Sequence, residues 1–410
     1  MHALLSYVVL VLNPYRYDEL MSSLKLNEII KLIPTSKLIS RVNPDGNPVF
    51  DVPCGNSDDG ETEELARLKT RNVLNSPLDY PALNQAVLPE DTVCIALEPG
   101  TPGGAGIVAA VIEDLLSIGV QPANVTVLLA EFTPDSECKF LREYLDQLGQ
   151  ANVLLETHNS TERSAVGYLS ASRDGEPIVF SAQLAHSDFI IPIGIAKSGG
   201  WKSQVDFLYP YFSDRQSQIR FFKLNERNRI AFALEANRWL GSSFSILTVS
   251  PDSKRASEIL VGKHESVMIA AKKSLDQCHN AQQWNCESNP PIADLVIAEV
   301  GQHLFCSITE VKTLIDAITD YCSAGGSCVV LWNAENKIDR LIDFDSGQES
   351  ANAVEIPSGA IFVCTDQSVI RQLGYSSIKE IENIQRLIDQ HSQCLILDNF
   401  QNHCSVTVSE

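Results

Sequence analysis

The chain has 410 residues and a formal net charge of -21, with 44% hydrophobic and 20% charged residues. A chain of this length has room for two or three domains, and its composition is typical of a globular protein. The acidic balance argues against a nucleic-acid partner, because such a partner requires a basic face. It leaves open a small anionic ligand, since a local pocket can be positive on an acidic protein.

Eleven cysteines are scattered along the chain, without a C-x-x-C motif and without cysteines and histidines at zinc spacing. Cys94, Cys328, Cys364 and Cys394 lie inside apolar runs. This pattern favours small buried side chains in a reducing compartment over a disulfide framework or a metal site.

The N-terminal apolar run, residues 3–12, is far shorter than the roughly 20 residues that a membrane-spanning helix needs. No lysine or arginine precedes it, so it is also a poor match to a signal peptide. A strand is expected there, or a true start of the protein near Met21. These features predict a cytoplasmic protein without a membrane partner.

The segment that follows is weakly patterned. Residues 24–33 and 61–74 have helical character, residues 43–48 form a turn, and residues 56–64 are polar and expected to be exposed.

A βαβ unit is the first clear feature. Residues 92–97 form a short, continuously apolar run, as in a buried parallel strand. Apolar residues then recur at helical spacing between residues 107 and 116, Gly119 ends the helix, and residues 125–130 form the next strand. Parallel strands joined in this way bind ligands outside their carboxyl ends.

The loop of this unit contains the pattern G-x-G-x-x-A, with Gly104 and Gly106 as its glycines, and Glu131 closes the following strand. The pattern fits a dinucleotide-binding loop, in which backbone amides at a helix N-terminus bind phosphate. The loop is long and carries two prolines, whereas the fingerprint turns sharply off its strand. An ordinary βα loop with close backbone packing is the other interpretation.

His158 is a candidate catalytic residue. Residues 139–148 are predicted to be helical and residues 152–155 to form a strand, and His158 follows that strand where α/β proteins place functional groups. Residues 176–180 and 189–194 are predicted to form two further strands.

The second of these strands leads into S-G-G-W-K-S at residues 198–203. Glycines let backbone N–H groups approach a ligand, and a lysine beside them can pair with an anion or act as a nucleophile. A surface turn with a solvated lysine is the alternative. The candidate cofactor-binding residues of this segment are Ser198, Gly199, Gly200 and Lys202.

The second half repeats the α/β pattern, after a helical segment at residues 221–240 that would connect to a second domain. Its predicted strands are residues 245–249, 293–298, 328–331, 360–364 and 394–397, and its predicted helices are residues 264–275 and 308–321, the latter capped by Gly325 and Gly326. The predicted fold class is therefore α/β, with two doubly wound domains at residues 1–240 and 241–410 and a ligand cleft between them.

In this order of features the chain resembles the lactate racemase family, whose members carry a nickel-pincer nucleotide on a lysine. The resemblance extends over residues 60–335. Its most specific motif is S-G-G-W-K-S, which matches the family's S-G-G-x-K-S and implies that Lys202 bears the cofactor. A substrate-side lysine in the family's Y-Q-x-x-K motif maps onto Lys312, which makes Lys312 a second candidate catalytic residue.

The chain departs from the family at several motifs. The family's D-x-T-R-P becomes A-L-E-P-G at residues 96–100, without the aspartate and the arginine. Histidines that the family carries after the second strand and around S-G-G-x-K-S are missing, and His158 and His186 match neither position. The resemblance implies that such histidines bind nickel and move the hydroxyl proton of the substrate.

Three functions remain open. The resemblance implies a racemase or epimerase of a 2-hydroxy acid, an isomerase whose cofactor is a nickel-pincer nucleotide on Lys202. The missing residues leave open a non-catalytic descendant that binds a nucleotide or a phosphate. The glycine loop leaves open a nicotinamide-dependent oxidoreductase that uses residues 104–109 and Glu131. In each case the expected partner is a small molecule, either a 2-hydroxy acid or a nucleotide.

Overall fold

The computed structural model describes residues 38–42, 59–197, 207–250, 256–281, 292–300, 318–319, 321–332, 360–363, 376–377 and 381–397. Its strands are β1 (Leu38–Val42), β2 (Val93–Leu97), β3 (Val125–Leu129), β4 (Leu154–Thr157), β5 (Val166–Ala171), β6 (Pro177–Ser181), β7 (Phe189–Ile195), β8 (Phe244–Val249), β9 (Glu258–Lys263), β10 (Ala293–Val300), β11 (Cys322–Trp332), β12 (Ala360–Val363), β13 (Ser376–Ser377) and β14 (Cys394–Leu397). Its helices are α1 (Asp59–Leu74), α2 (Leu83–Ala86), α3 (Gly104–Ile118), α4 (Asp135–Gln147), α5 (Ala182–His186), α6 (Leu208–Tyr211), α7 (Arg215–Lys223), α8 (Glu226–Leu240), α9 (His264–Ala281) and α10 (Ile381–Gln390).

The first sheet is built around the predicted βαβ unit, which is confirmed. Its strand order is β4-β3-β2-β7-β8-β9, and β9 is its antiparallel edge strand. Every residue of β2 is buried, as its continuous apolar run requires in a sheet covered on both faces. The helix α3 ends at Gly119, whose φ of 106° suits glycine and few other residues.

Helices cover both faces of this sheet, so it is doubly wound. On one face, Ile95 of β2 shares an apolar cluster with Ile112 of α3 and Leu145 of α4. On the other face, Ala96 of β2 shares a cluster with Ala236 of α8. Because successive side chains of a strand point to opposite faces, one buried strand serves both clusters.

The second sheet has the strand order β1-β14-β10-β11-β12-β13 and is parallel throughout. Ile384 and Ile388 of α10 pack with Ile297 of β10 and Val329 of β11. The predicted α/β fold class is therefore confirmed.

The two sheets do not divide the strands at residue 240. β8 and β9 pair within the first sheet, and β1 from the N-terminal part of the chain pairs with β14 in the second. The domain boundary at residue 240 and the cleft between the two domains stay predictions. Such a boundary has to be consistent with β8 and β9 in the first sheet and β1 in the second.

The strand predicted at residues 176–180 is confirmed as β6, and within the described residues it pairs with β5 in a separate antiparallel sheet. The helical segment predicted at residues 221–240 is confirmed as the end of α7 and the whole of α8, which lie between β7 and β8 of the first sheet, and its role as a connection between domains stays a prediction. One local expectation needs correction. Gly325, which is predicted as a helix cap, lies inside β11. At this point the pairing of β11 with β10 jumps from Cys322 to Ser327, and the Gly325 φ of 82° bends the strand.

Several predictions fall outside the described residues. They are the strand at residues 3–12, the helix at residues 24–33, the turn at residues 43–48, the S-G-G-W-K-S segment and Lys312. Within the described part of the chain, no helix is both long enough and apolar enough to cross a membrane.

Candidate functional site

The candidate site lies where the connections of the first sheet change direction. From β2 the chain runs through α3, β3 and α4 to β4, whereas β7 pairs with the opposite side of β2 and continues to β8. These two connections also cover opposite faces. In open α/β sheets a ligand binds outside the carboxyl ends of the strands at such a switch point. The residues that follow β2 and β7 therefore lie where the fold is expected to bind a ligand.

Glu98 is the first residue after β2, and only 2% of it is exposed. Its Oε2 atom accepts the backbone N–H of Ile195 on β7 at 3.0 Å. The loop that follows is anchored as well, since Thr101 Oγ1 donates to the Glu98 carbonyl at 2.7 Å and Gly100 N–H donates to Glu137 of α4 at 2.9 Å. This carboxylate is therefore held rigidly between the two central strands.

Lys197 follows β7 and forms an ion pair with Glu98. Its Nζ donates to Glu98 Oε1, and 10% of the lysine side chain and 2% of the glutamate side chain are exposed. Gly194 makes room for this pair, because a Cβ there would lie 2.8 Å from Glu98 Oε2 and 3.0 Å from the ring of Phe207. A buried ion pair adds little stability over apolar side chains of equal volume, so its place at the carboxyl ends of β2 and β7 indicates a functional reason for it.

His158 follows β4 at the same edge and is 3% exposed. Its Nε2 lies 2.9 Å from the Ser213 carbonyl oxygen, which can only accept, so Nε2 carries the hydrogen. Its Nδ1 has no hydrogen-bond partner among the described residues. Burial lowers the pKa of His158, and this effect exceeds the opposite effects of the Ser213 carbonyl, Glu131 and Asp214. The ring is therefore a neutral imidazole near pH 7.

This lowered pKa predicts an acid-sensitive fold. Below the unfolded-state pKa of about 6.5 the unfolded chain binds a proton that folded His158 resists, so the free energy of unfolding falls as the pH falls. The His158→Gln variant should not show that part of the pH dependence. Its free energy of unfolding at neutral pH should also fall by about 1 kcal/mol, because the buried hydrogen bond of His158 is removed. Urea unfolding from about pH 8 to pH 5 measures both, with exposed His186→Gln as the control. Equal pH slopes for wild type and His158→Gln would contradict the assignment.

Glu131 lies two residues after the end of β3 and faces the segment after His158. Ser160 Oγ donates to Glu131 Oε2 at 2.5 Å. In strand order β3 separates β4 from β2, which places His158 roughly 10 Å from Glu98 along the edge. The edge thus presents two polar groupings, Glu98 with Lys197 and Glu131 with Ser160 and His158.

The two glycines of the G-x-G-x-x-A pattern contact protein. Gly104 N–H donates to the Thr101 carbonyl at 2.8 Å, and Gly106 N–H donates to Glu63 Oε2 of α1 at 2.6 Å. A Cβ on Gly106 would lie 2.0 Å from the Glu63 carbonyl oxygen. Because a carboxylate and a helix occupy the place that a phosphate would take, these contacts favour the interpretation as a close-packed βα loop over a dinucleotide site.

The resemblance implies a bound nickel ion, which would need several ligands from side chains. Among the described side chains, no group of three or more His, Cys, Asp or Glu residues comes together as a metal ion requires. His186 is exposed and lies before β7, near the amino end of that strand. It is thus at the edge opposite His158, and the two cannot share a ligand. The described residues do not fit a nickel-ligand set.

Glu98 and Lys197 were not predicted as site residues. In the sequence, Glu98 belongs to a loop motif that lacks an aspartate, and Lys197 belongs to no motif. The available signal was placement, since each residue directly follows an apolar run. The site roles of Ser198, Gly199, Gly200, Lys202 and Lys312 stay predictions, because these residues lie outside the described parts.

These features define a doubly wound α/β protein with a buried ion pair at its switch point. The lactate racemase apoprotein from Thermoanaerobacterium thermosaccharolyticum has a similar structure, with a TM-score of 0.58 and 12% identity over 90% of this chain and 95% of that one. A protein from Thermotoga maritima is also similar, with a TM-score of 0.54 and 12% identity over 83% and 97%. No family model and no curated protein matches the sequence. The chain therefore has a lactate racemase-like fold.

Proposed function

We propose that this protein is a lactate-racemase-like isomerase, a racemase or epimerase that binds a small 2-hydroxy acid at the carboxyl edge of the first sheet. The observation that carries the proposal is a fold similar to lactate racemase apoprotein over nearly the whole of both chains. The switch point supports it, because β7 and Lys197 lead directly into the S-G-G-W-K-S segment. Lys202 would hold a nickel-pincer nucleotide, and Lys312 would face the substrate.

The cofactor supplies hydride chemistry where it is bound, and the fold alone does not supply its metal ligands. The described residues lack a nickel-ligand set, so no reaction step is assigned to the metal. What the described residues offer is a lysine held by a carboxylate at the carboxyl edge of the first sheet, and the lysine ammonium can bind an anionic oxygen and orient it. Ligands for nickel would have to come from other parts of the chain or from the cofactor.

Co-expression with a nickel-pincer maturation system tests the proposal. Intact-protein mass spectrometry should show one adduct per chain, and elemental analysis should show equimolar nickel. Lys202→Ala should lose both completely, because it removes the proposed attachment nitrogen. Lys263→Ala, a change at a 49% exposed lysine at the end of β9 and the opposite edge of the sheet, is the control and should keep both.

The catalytic part is tested by incubation of the loaded protein with D- and L-2-hydroxy acids and chiral analysis of the products. Inversion that depends on Lys202 is expected. An unmodified, nickel-free wild-type protein would contradict the cofactor assignment.

The second candidate is a non-catalytic protein that binds a nucleotide or phosphate at the same edge. The described side chains favour this second candidate, because His158 is buried and hydrogen-bonded to the backbone and the cation at the site, Lys197, is a lysine. Phosphate or nucleotide binding without turnover of any 2-hydroxy acid would decide for this function. A nicotinamide-dependent oxidoreductase has weaker support, given the contacts of Gly104 and Gly106.

A further inference from the structure

We propose that Lys197 is the cation that recognises the ligand's anionic oxygens and that Glu98 is a positioning residue that neutralises it until the ligand binds. This inference rests on the proposed function, since it names how the same site takes its ligand. The shared chemistry is an oxyanion, which is either the carboxylate of a 2-hydroxy acid or a phosphate.

Lys197 lies two residues after the end of β7, and Glu98 directly follows β2. These are the two strands whose connections diverge, so the pair lies at the switch point where open α/β sheets bind their ligands. The loop after β2, residues 98–103, contains no lysine or arginine. Lys197 is therefore the cation that the described residues offer at this pair of strand ends.

The two partners are exposed unequally, and this decides which of them faces a ligand. The lysine side chain is 10% exposed and the glutamate side chain 2%. An ammonium has three N–H donors, so it can bond a ligand oxygen and Glu98 together, whereas an ionised carboxylate is acceptor-only and repels an anion. Glu98 also accepts the Ile195 N–H, which keeps it in place when the lysine turns to a ligand.

The space for this arrangement is specific to glycine. Any side chain at Gly194 would begin with a Cβ only 2.8 Å from Glu98 Oε2. The carboxylate therefore lies against bare backbone of β7, within reach of the lysine that ends the same segment. A site that only needed apolar packing would require neither the missing Cβ nor the buried charges.

The two partners of the pair should respond with opposite signs, which separates this role from a purely structural one. Lys197→Met should weaken binding of an oxyanion at least about tenfold, since it removes the attracting charge. Glu98→Gln should tighten binding by roughly three- to tenfold, since it removes a like charge next to the ligand. Damage to the fold would weaken binding in both variants.

Ligand-observed NMR titration of the full chain with D-lactate, L-lactate and inorganic phosphate measures these changes. Lys263→Met removes the same charge at the opposite edge of the sheet, where β9 ends and the lysine side chain is 49% exposed, and it should stay within about twofold of wild type. Circular dichroism checks that each variant is folded. If Lys197→Met does not fold, the double variant Glu98→Gln/Lys197→Met leaves neither charge buried and should also lose binding.

The outcomes test the role of Lys197 separately from the proposed function. If the folded double variant binds the probes as tightly as wild type does, the role of Lys197 is overturned and the proposed function stands. A weakening by Glu98→Gln would overturn the role of Glu98 as a neutralising partner. If wild type binds none of the three probes, both the proposed function and this inference fail. Lactate binding without phosphate binding assigns the oxyanion to a carboxylate, and the reverse assigns it to a phosphate.

Discussion

Gly106→Ala is expected to destabilise the protein by about 3 kcal/mol or more, as insertion of atoms into a closed backbone contact does. The added Cβ would lie 2.0 Å from the Glu63 carbonyl oxygen and 3.0 Å from the Arg67 backbone nitrogen. Both are main-chain atoms of a helix, so no side-chain rotation relieves the clash. The helices α1 and α3 would have to separate.

The contact is costly to open because several interactions cross the same interface. Gly106 N–H donates to Glu63 Oε2 at 2.6 Å, and Arg67 Nη1 of α1 lies 2.5 Å from Glu113 Oε1 of α3. Ala66, 1% exposed, packs in the same apolar cluster as α3. Separation of the helices would weaken all of these contacts together.

Gly104→Ala is the matched control, because both glycines belong to the same pattern and the same first helical turn. A Cβ on Gly104 would meet Leu97 Cδ1 at 3.4 Å and Thr101 Cβ at 3.5 Å, which is ordinary contact. Alanine also favours a helix more than glycine by roughly 1 kcal/mol. Urea unfolding should therefore place Gly104→Ala within about 1 kcal/mol of wild type. Similar losses in both variants would contradict the packing explanation.

Most strands and helices of the described chain could be predicted from the sequence, because their signals are local. The run at residues 92–97, the helical spacing from residue 107 and the stop at Gly119 each depend on neighbouring residues alone. Sheet membership is not local. Residues 245–249 have the same apolar pattern whichever sheet they join, so the pairing of β8 with β7 could not be predicted from them.

The candidate site shows the same limit. His158 could be found because a polar residue directly after an apolar strand is a local pattern. The pairing of Glu98 with Lys197 joins residues that are 99 positions apart, and it exists only because β2 and β7 are neighbours. The role of Gly106 likewise depends on α1, which lies outside its own motif. The G-x-G-x-x-A motif considered alone therefore predicted a phosphate site, whereas in the fold the helix α1 occupies that place.

The second large effect concerns the buried ion pair. Lys197→Met should cost about 3–5 kcal/mol, because it leaves the carboxylate of Glu98 buried without a counter-charge. Glu98→Gln should cost less, since the lysine is the more exposed partner and can turn toward water. Urea unfolding of wild type and the two single variants measures these losses.

The double variant Glu98→Gln/Lys197→Met completes the cycle and should recover most of the loss, because two neutral side chains of similar size leave no buried charge. Recovery to wild-type stability would mean that the pair is not retained for stability, which is what a ligand-binding role requires. Additive losses would instead mean that the residues act independently and that their pairing has no energetic coupling. Stability and oxyanion affinity should therefore diverge in this one variant, with the fold restored and the binding lost.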